Sequence, residues 1–298
     1  MKTYETYLQE QGYTKGTITS YMRSQRFFQN WCDAKDLEPE FIDYKSCIAY
    51  VQHLQQHRQG KRISQKTVKH TVGAMKIFFN CLIENQMRDD NPMQTINIRG
   101  VQRSLNHNLL EFEELEELYH TYPTQGIEFP NCPAVASRNK VITGFMVYQG
   151  MNSTSLKSLH VDHVNIDKGL VSIPGTRVTN GRTLQLQSQQ IVPLLRYLEK
   201  DREILQEKIS IFNQRLFPIR DDRFYIIPTL LKELRKINHK VKDTKQIRAS
   251  VITHWLSSHN IREVQYMSGH RYISSTERYV QDNLESLQEL IESLHPIG

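Results

Sequence analysis

Apolar residues recur with a helical period through the first hundred positions. Ile18, Tyr21, Phe28 and Trp31 stand at spacings of three and seven behind Thr14, whose hydroxyl suits a helix N-cap. Val68, Val72, Met75, Phe79 and Leu82 alternate steps of four and three after Ser64, the apolar face of a second long helix. Asp90-Asn91-Pro92 is expected to end it, because proline disfavours helical backbone in the residue before it. From Ile96 to Asn108 the chain is polar and without period, and reads as a linker. The pattern therefore predicts two domains, 1–102 and 103–298.

A helical pattern resumes in LLEFEELEELYHTY and again from Ser137 to Gln149, and then the period changes. Val161, Val164 and Ile166, then Leu170, Val171 and Ile173, then Leu184 and Leu186, form short β-favouring runs. Asp167-Lys168-Gly169 and Asn180-Gly181 lie between them, and Asn-Gly is a hairpin signal. After about Ile191 the pattern is helical to the end. The predicted fold class is mainly α: a helical N-terminal domain, then a mainly helical C-terminal domain with a small antiparallel sheet.

Charge adds a partner. Lys and Arg number 38 against 32 Asp and Glu, a formal net charge of +6, and the excess is concentrated. Between Asp43 and Glu84 no acidic residue occurs, while Lys45, Arg58, Lys61, Arg62, Lys66, Lys69 and Lys76 all do. A block of one sign on a folded helical segment points to a polyanion, with a solvated helix face as the bland alternative. Lys45, Arg58, Lys61, Arg62, Lys66 and Lys69 are the candidate contacts to the phosphates of such a polyanion, most often a nucleic acid. No apolar run reaches the roughly 18–20 residues of a membrane span, and the start MKTYETYLQEQ does not resemble a signal peptide. The four cysteines (Cys32, Cys47, Cys81 and Cys132) form no CxxC pair, which leaves a zinc site unsupported and a reduced cytoplasmic chain as the simplest reading.

The chemistry is concentrated in TKQIRASVITHWLSSHNIREVQYMSGHRYISSTERYV, from Thr244 onward. An arginine, Arg248, precedes a helix; Gly269-His270 follows about twenty residues later; Tyr279 stands nine residues beyond the histidine. In order and spacing these motifs resemble the active-site region of the tyrosine recombinases, the phage integrase family. YLQEQGYTKGTITSY and SQKTVKHTVGAMKIFFNCLIENQMRDDNP resemble the helices of that family's core-binding, SAM-like domain, so the resemblance spans nearly the whole chain. It implies site-specific DNA recombination or integration through a 3′-phosphotyrosyl intermediate, with Tyr279 as nucleophile. The physical logic agrees. A tyrosine phenol, with an ordinary pKa of about 10, attacks only a phosphodiester that is already polarised. Arginine's planar fork binds two phosphate oxygens at once. His270 can hydrogen-bond the developing charge, and a cation must assist the leaving 5′-oxygen. No metal or other cofactor is expected.

Three positions depart from the family pattern. Asn152, in YQGMNSTSL, stands where the family has its first active-site arginine. Arg177, in SIPGTRVTNGRTLQL, falls at the hairpin lysine when counted back from Arg182. Lys245 takes a histidine position three residues before Arg248, where the family also uses lysine. Asparagine supplies no charge and arginine is a poor proton donor, so the alternative is a DNA-binding relative with impaired catalysis, acting as an accessory or regulatory factor. The tail LESLQELIESL places Leu284, Leu287, Ile291 and Leu294 at helical spacing. The resemblance implies that this tail docks in trans onto a neighbouring subunit of a tetramer on two DNA sites; packing on its own domain is the alternative. The resemblance also leaves room for accessory proteins.

Overall fold

The computed structural model describes residues 2–56, 63–100, 108–124, 133–220 and 224–280. The chain divides into two compact units, Met1–Arg103 and Ser104–Gly298, each with its own hydrophobic core. The molecule is mainly helical, with one small antiparallel sheet.

The first unit is built from α1 (Tyr4–Glu10), α2 (Lys15–Asp33), α3 (Tyr44–Gln55) and α4 (Gln65–Glu84). Each begins at a side-chain cap: Thr3, Thr14, Asp43 and Ser64 accept the backbone N–H three residues on. The stripes of α2 and α4 meet in a core where Leu8, Phe28, Met75 and Phe79 are completely covered. Phe28 meets Tyr50 edge-on at 4.8 Å between centroids and lies alongside Trp31 at 6.2 Å.

Helix α4 stops at Glu84, before the Asp-Asn-Pro signal. Gln86 turns left-handed with φ 56°, and Met87 N–H returns to Leu82 O at 2.9 Å. The amide of Asn91 then donates to Lys76 O at 2.9 Å and Asn80 Oδ1 at 2.6 Å, seating Met93 and Ile96 in the core. The expected linker therefore starts too early at Ile96, which is buried. Its far end is anchored too, because Asn108 O accepts from the side-chain amide of Gln246. Residues 101–107 lie outside the described residues.

The second unit opens with α5 (Phe112–His120), α6 (Pro133–Val147) and the short α7 (Ser153–Ser158). A single 3₁₀ turn, Val161–His163, takes Val161 out of the predicted strand, and β1 is only Val164–Asn165. β2 (Leu170–Ile173) pairs antiparallel with β1 and with β3 (Arg182–Gln185), in the register Val171 to Leu184 and Ile173 to Arg182. Alternation puts Val171, Ile173, Leu184 and Arg182 on the inner face.

The β2–β3 hairpin exists, but Asn180-Gly181 is not its turn. Its connection is the eight-residue loop 174–181, and neither residue adopts the positive φ of a two-residue Asn-Gly turn. Gly181 is instead pressed against Gly175, where a Cβ would stand 2.9 Å from Gly181 N, and the loop closes through Thr176 N–H to Thr179 O at 2.8 Å.

Beyond the sheet come α8 (Ser188–Arg196), α9 (Arg202–Ile209), α10 (Ile226–Ile237), α11 (Thr244–Ser258), α12 (Ile261–Ser268) and a last helical stretch, 274–280, here α13. They surround a core with Phe145, Tyr197, Phe217, Leu230, Ile247 and Ile252 at its centre. The tail leucines Leu284, Leu287 and Leu294, with Ile291, lie outside the described residues. No described helix is long and apolar enough to cross a membrane.

Candidate active site

Helix α11 begins at Asp243, whose carboxylate accepts Lys245 N–H at 2.9 Å and Gln246 N–H at 2.8 Å. From Gln246 to Ile252 every residue is buried, so Arg248 enters the interior and is only 8% exposed. Its guanidinium donates to Gly150 O and, at 2.6 Å, to Ser268 O. It thereby joins the segment after α6 to the end of α12. Gly150 has φ +56°, and a Cβ there would press Trp255 at 3.2 Å and Val251 at 3.3 Å, so glycine is required both by conformation and by space.

Helix α12 is closed by a capping box at Asn260 and Glu263, and ends at Gly269 with φ +69°. A Cβ on Gly269 would collide with the guanidinium of Arg182. The left-handed residue turns the chain so that His270 N–H donates to Gln265 O at 3.0 Å. Nδ1 of His270 pairs with Thr276 Oγ1 at 2.9 Å, and Nε2 lies 3.5 Å from Arg248. Thr276 is fully buried, so it fixes the ring's orientation. Burial first, and then the charges of Arg248, Arg182 and Arg278, push the His270 pKa down to about 4. The imidazole is therefore neutral at pH 7.

Tyr279, on α13, lies against the same imidazole, nearly parallel to it (19°) with centroids 5.8 Å apart. Burial lowers the Arg248 pKa, and the neighbouring Tyr279 phenol opposes that shift. Arg248, His270 and Tyr279 are thus brought together from α11, the turn after α12, and α13.

The other three sequence candidates stand differently. Asn152 is the N-cap of α7: its Oδ1 accepts Ser155 N–H at 2.9 Å, so its side chain serves the helix start. Lys245 is exposed on the first turn of α11, one turn before Arg248. Arg177 is exposed on the 174–181 loop, and its carbonyl accepts from Arg271 at 2.9 Å. The loop is latched to the site through backbone: Asn180 N–H donates to Gly269 O at 3.0 Å, and Thr179 bridges to His270.

Sequence reasoning passed over Arg182, using it only as a counting mark. It is 4% exposed, on the inner face of β3 against Gly269. Burial, followed by the nearby charge of Arg248, pushes its pKa down to about 10. The signal was present in R-T-L-Q-L, where strand alternation places Arg182 on the same face as Leu184 and Leu186.

Of the candidate DNA contacts in the first unit, Lys45 is exposed on the first turn of α3, and Lys66 and Lys69 are exposed one turn apart on α4. Lys76, from the same acid-free block, instead donates to Gln94 O at 2.9 Å. Arg58, Lys61 and Arg62 lie outside the described residues. Among the described residues no three His, Cys, Asp or Glu gather as a metal site.

Residues 108–286 match the phage integrase family, and residues 1–89 match the phage integrase N-terminal SAM-like domain. The chain belongs to the phage integrase family. It is 25% identical to the tyrosine recombinase XerC of Bacillus pumilus (strain SAFR-032), over 97% of this chain and 94% of the relative. It is 23% identical to the tyrosine recombinase XerD of Listeria monocytogenes serotype 4b (strain F2365), over 96% and 95%. In fold it is similar to the XerH site-specific recombinase bound to palindromic difH substrate in a post-cleavage complex, with TM-score 0.67, 20% identity, and coverage of 92% of this chain and 79% of that one. It is also similar to the Tn1549 transposon integrase in complex with circular intermediate DNA, with TM-score 0.66, 15% identity, and 93% of both chains covered.

Proposed function

We propose that this chain is a site-specific tyrosine recombinase that cuts and rejoins double-stranded DNA. The observation that carries the reading is the convergence of buried Arg248 with half-buried His270 and Tyr279. Arg248 binds the non-bridging oxygens of the scissile phosphate and neutralises the charge that grows on them. Tyr279 Oη attacks phosphorus, the P–O5′ bond breaks, and a 3′-phosphotyrosyl bond forms. Neutral His270 hydrogen-bonds the charge that develops on the phosphate, the phenol proton leaves to water, and the departing 5′-oxygen takes a proton from Lys245. In the reverse step a 5′-hydroxyl attacks phosphorus, releases Tyr279 and reseals the strand.

Lys45, Lys66 and Lys69, with Arg58, Lys61 and Arg62, neutralise backbone phosphates outside the site. Four copies act on two duplexes, each lending its C-terminal tail to a neighbour, in the cytoplasm at the nucleoid. The DNA-bound XerH and Tn1549 integrase structures support DNA as substrate, and the latter supports a role on a mobile element.

The test is a suicide duplex, nicked beside the cleavage position and carrying the genomic junctions that flank the gene. Wild type is expected to accumulate a covalent protein–DNA adduct, and Tyr279→Phe to lose it while keeping DNA affinity. An adduct that persists in Tyr279→Phe overturns the assignment. A second reading, a DNA-binding accessory relative, is favoured by Asn152, which caps α7 and brings no charge. Bound DNA without any adduct in wild type would replace the first reading by the second.

A further inference from the structure

The guanidinium of Arg182 is covered, and none of its three nitrogens has a hydrogen-bond partner. Most buried arginines are held by carboxylates or carbonyls, as Arg88 is here by Pro39 O, Ile42 O and Asp90. Arg182 has neither. Its surroundings are Gly269, the Asn180 backbone, Tyr266, Arg248 and His270, with no acidic residue among them. A buried cation without a counter-charge is destabilising even after the protein relaxes. The nearby charge of Arg248 adds repulsion. Two guanidiniums beside a neutral imidazole, with no carboxylate against Arg182, form a cluster whose charge suits an anion.

We propose that Arg182 is the second guanidinium of the scissile-phosphate pocket, standing in for the one that Asn152 does not supply. The inference rests on the recombinase reading above. β3 delivers the side chain from the sheet, whereas position 152 would have delivered it from the start of α7, which in this chain is spent on a cap. Because the Arg182 nitrogens are covered in the DNA-free chain, contact with phosphate comes with a shift of the 174–181 loop, whose Asn180 and Thr179 latch onto Gly269 and His270. Incoming phosphate thus relieves an uncompensated charge and assembles the site in one event. Arg248 and Arg182 then share the load, each toward a different non-bridging oxygen.

Two experiments decide it. In the first, full-length wild type and Arg182→Met are melted with and without inorganic phosphate. Met removes the charge but keeps an apolar stem, so the variant is expected to melt at or above the wild-type temperature in phosphate-free buffer. Phosphate is expected to raise the melting temperature of wild type and not of the variant. A variant that melts lower without phosphate, or that gains as much from phosphate as wild type, shows Arg182 to be structural and overturns the proposal.

In the second, adduct formation is followed on the nicked duplex. Arg182→Met is expected to slow it by about 10²–10³-fold, the usual scale for one lost donor to a developing oxyanion. A methylphosphonate at the scissile position, which replaces a charged oxygen by methyl, is expected to shrink that ratio toward one. Asn152→Arg added to Arg182→Met is expected to restore part of the rate on ordinary DNA. An unchanged rate in Arg182→Met, or a defect that methylphosphonate leaves intact, overturns the proposal. If wild type itself forms no adduct, the recombinase reading fails, and the phosphate melts still decide whether Arg182 holds an anion.

Discussion

At the scale of single residues, the site is a set of cations held close together with a neutral histidine. His270 has a folded-state pKa of about 4, set by burial and by Arg248, Arg182 and Arg278, against an ordinary value near 6.5. The unfolded chain therefore binds a proton between these values that the folded chain refuses. That contribution to stability is complete above about pH 6.5 and is lost as pH falls through 4. The urea midpoint of the DNA-free protein is expected to drop across this window, and His270→Gln to flatten the drop. A profile identical in the two proteins would place the titration elsewhere. Arg248, His270 and Tyr279 were legible in the sequence because short motifs with fixed separations bracket them. Arg182 was not, because a lone arginine in a strand has no motif; only its alternation with Leu184 and Leu186 marks it, and that matters once the pairing with Ile173 is known.

At the scale of elements, amphipathic stripes and side-chain caps foretold the long helices, since both are local properties of the chain. The places that differ are decided by distant contacts. Helix α4 ends early because Asn91 and Met93 fold back onto it. The Asn-Gly pair sits at the root of a longer loop because Gly181 must lie flat against Gly175. Asn152 serves an element-level demand, since its Oδ1 starts α7. Losing such a cap costs about 0.5–2 kcal/mol. Asn152→Arg is therefore expected to lower the unfolding free energy by about 1 kcal/mol even where it accelerates cleavage, while Asn152→Asp keeps the cap and the stability. Chemical denaturation of both variants checks this, and equal losses in the two would show that the cap is not the reason for asparagine.

At the scale of the whole molecule, the +6 net charge is small, and its placement matters more than its size. Lys76 and Arg88 hold backbone carbonyls of the first unit. Lys45, Lys66 and Lys69 are exposed. Each phosphate contact on duplex DNA releases about 0.9 of a counterion. Replacing these three lysines by alanine is expected to flatten the log–log salt dependence of binding by up to about 2.7, and to weaken all sequences alike. An unchanged slope would make this face a solvated surface. The division of the chain into two cores could be anticipated from the polar, aperiodic stretch near residue 103. The exact margin could not, because Ile96 looks like linker and is core.

The packing that makes Gly150 indispensable has an optical consequence. The chain has two tryptophans, Trp31 in the core of the first unit and Trp255 against Gly150, whose carbonyl holds Arg248. Each unit therefore carries one tryptophan, which excitation at the red edge of the absorption band selects over the tyrosines. A Trp31→Phe protein would report, by tryptophan emission from Trp255 alone, on the packing that supports Arg248. The complementary Trp255→Phe protein would follow the helical unit at the other end of the chain, with no label attached to either.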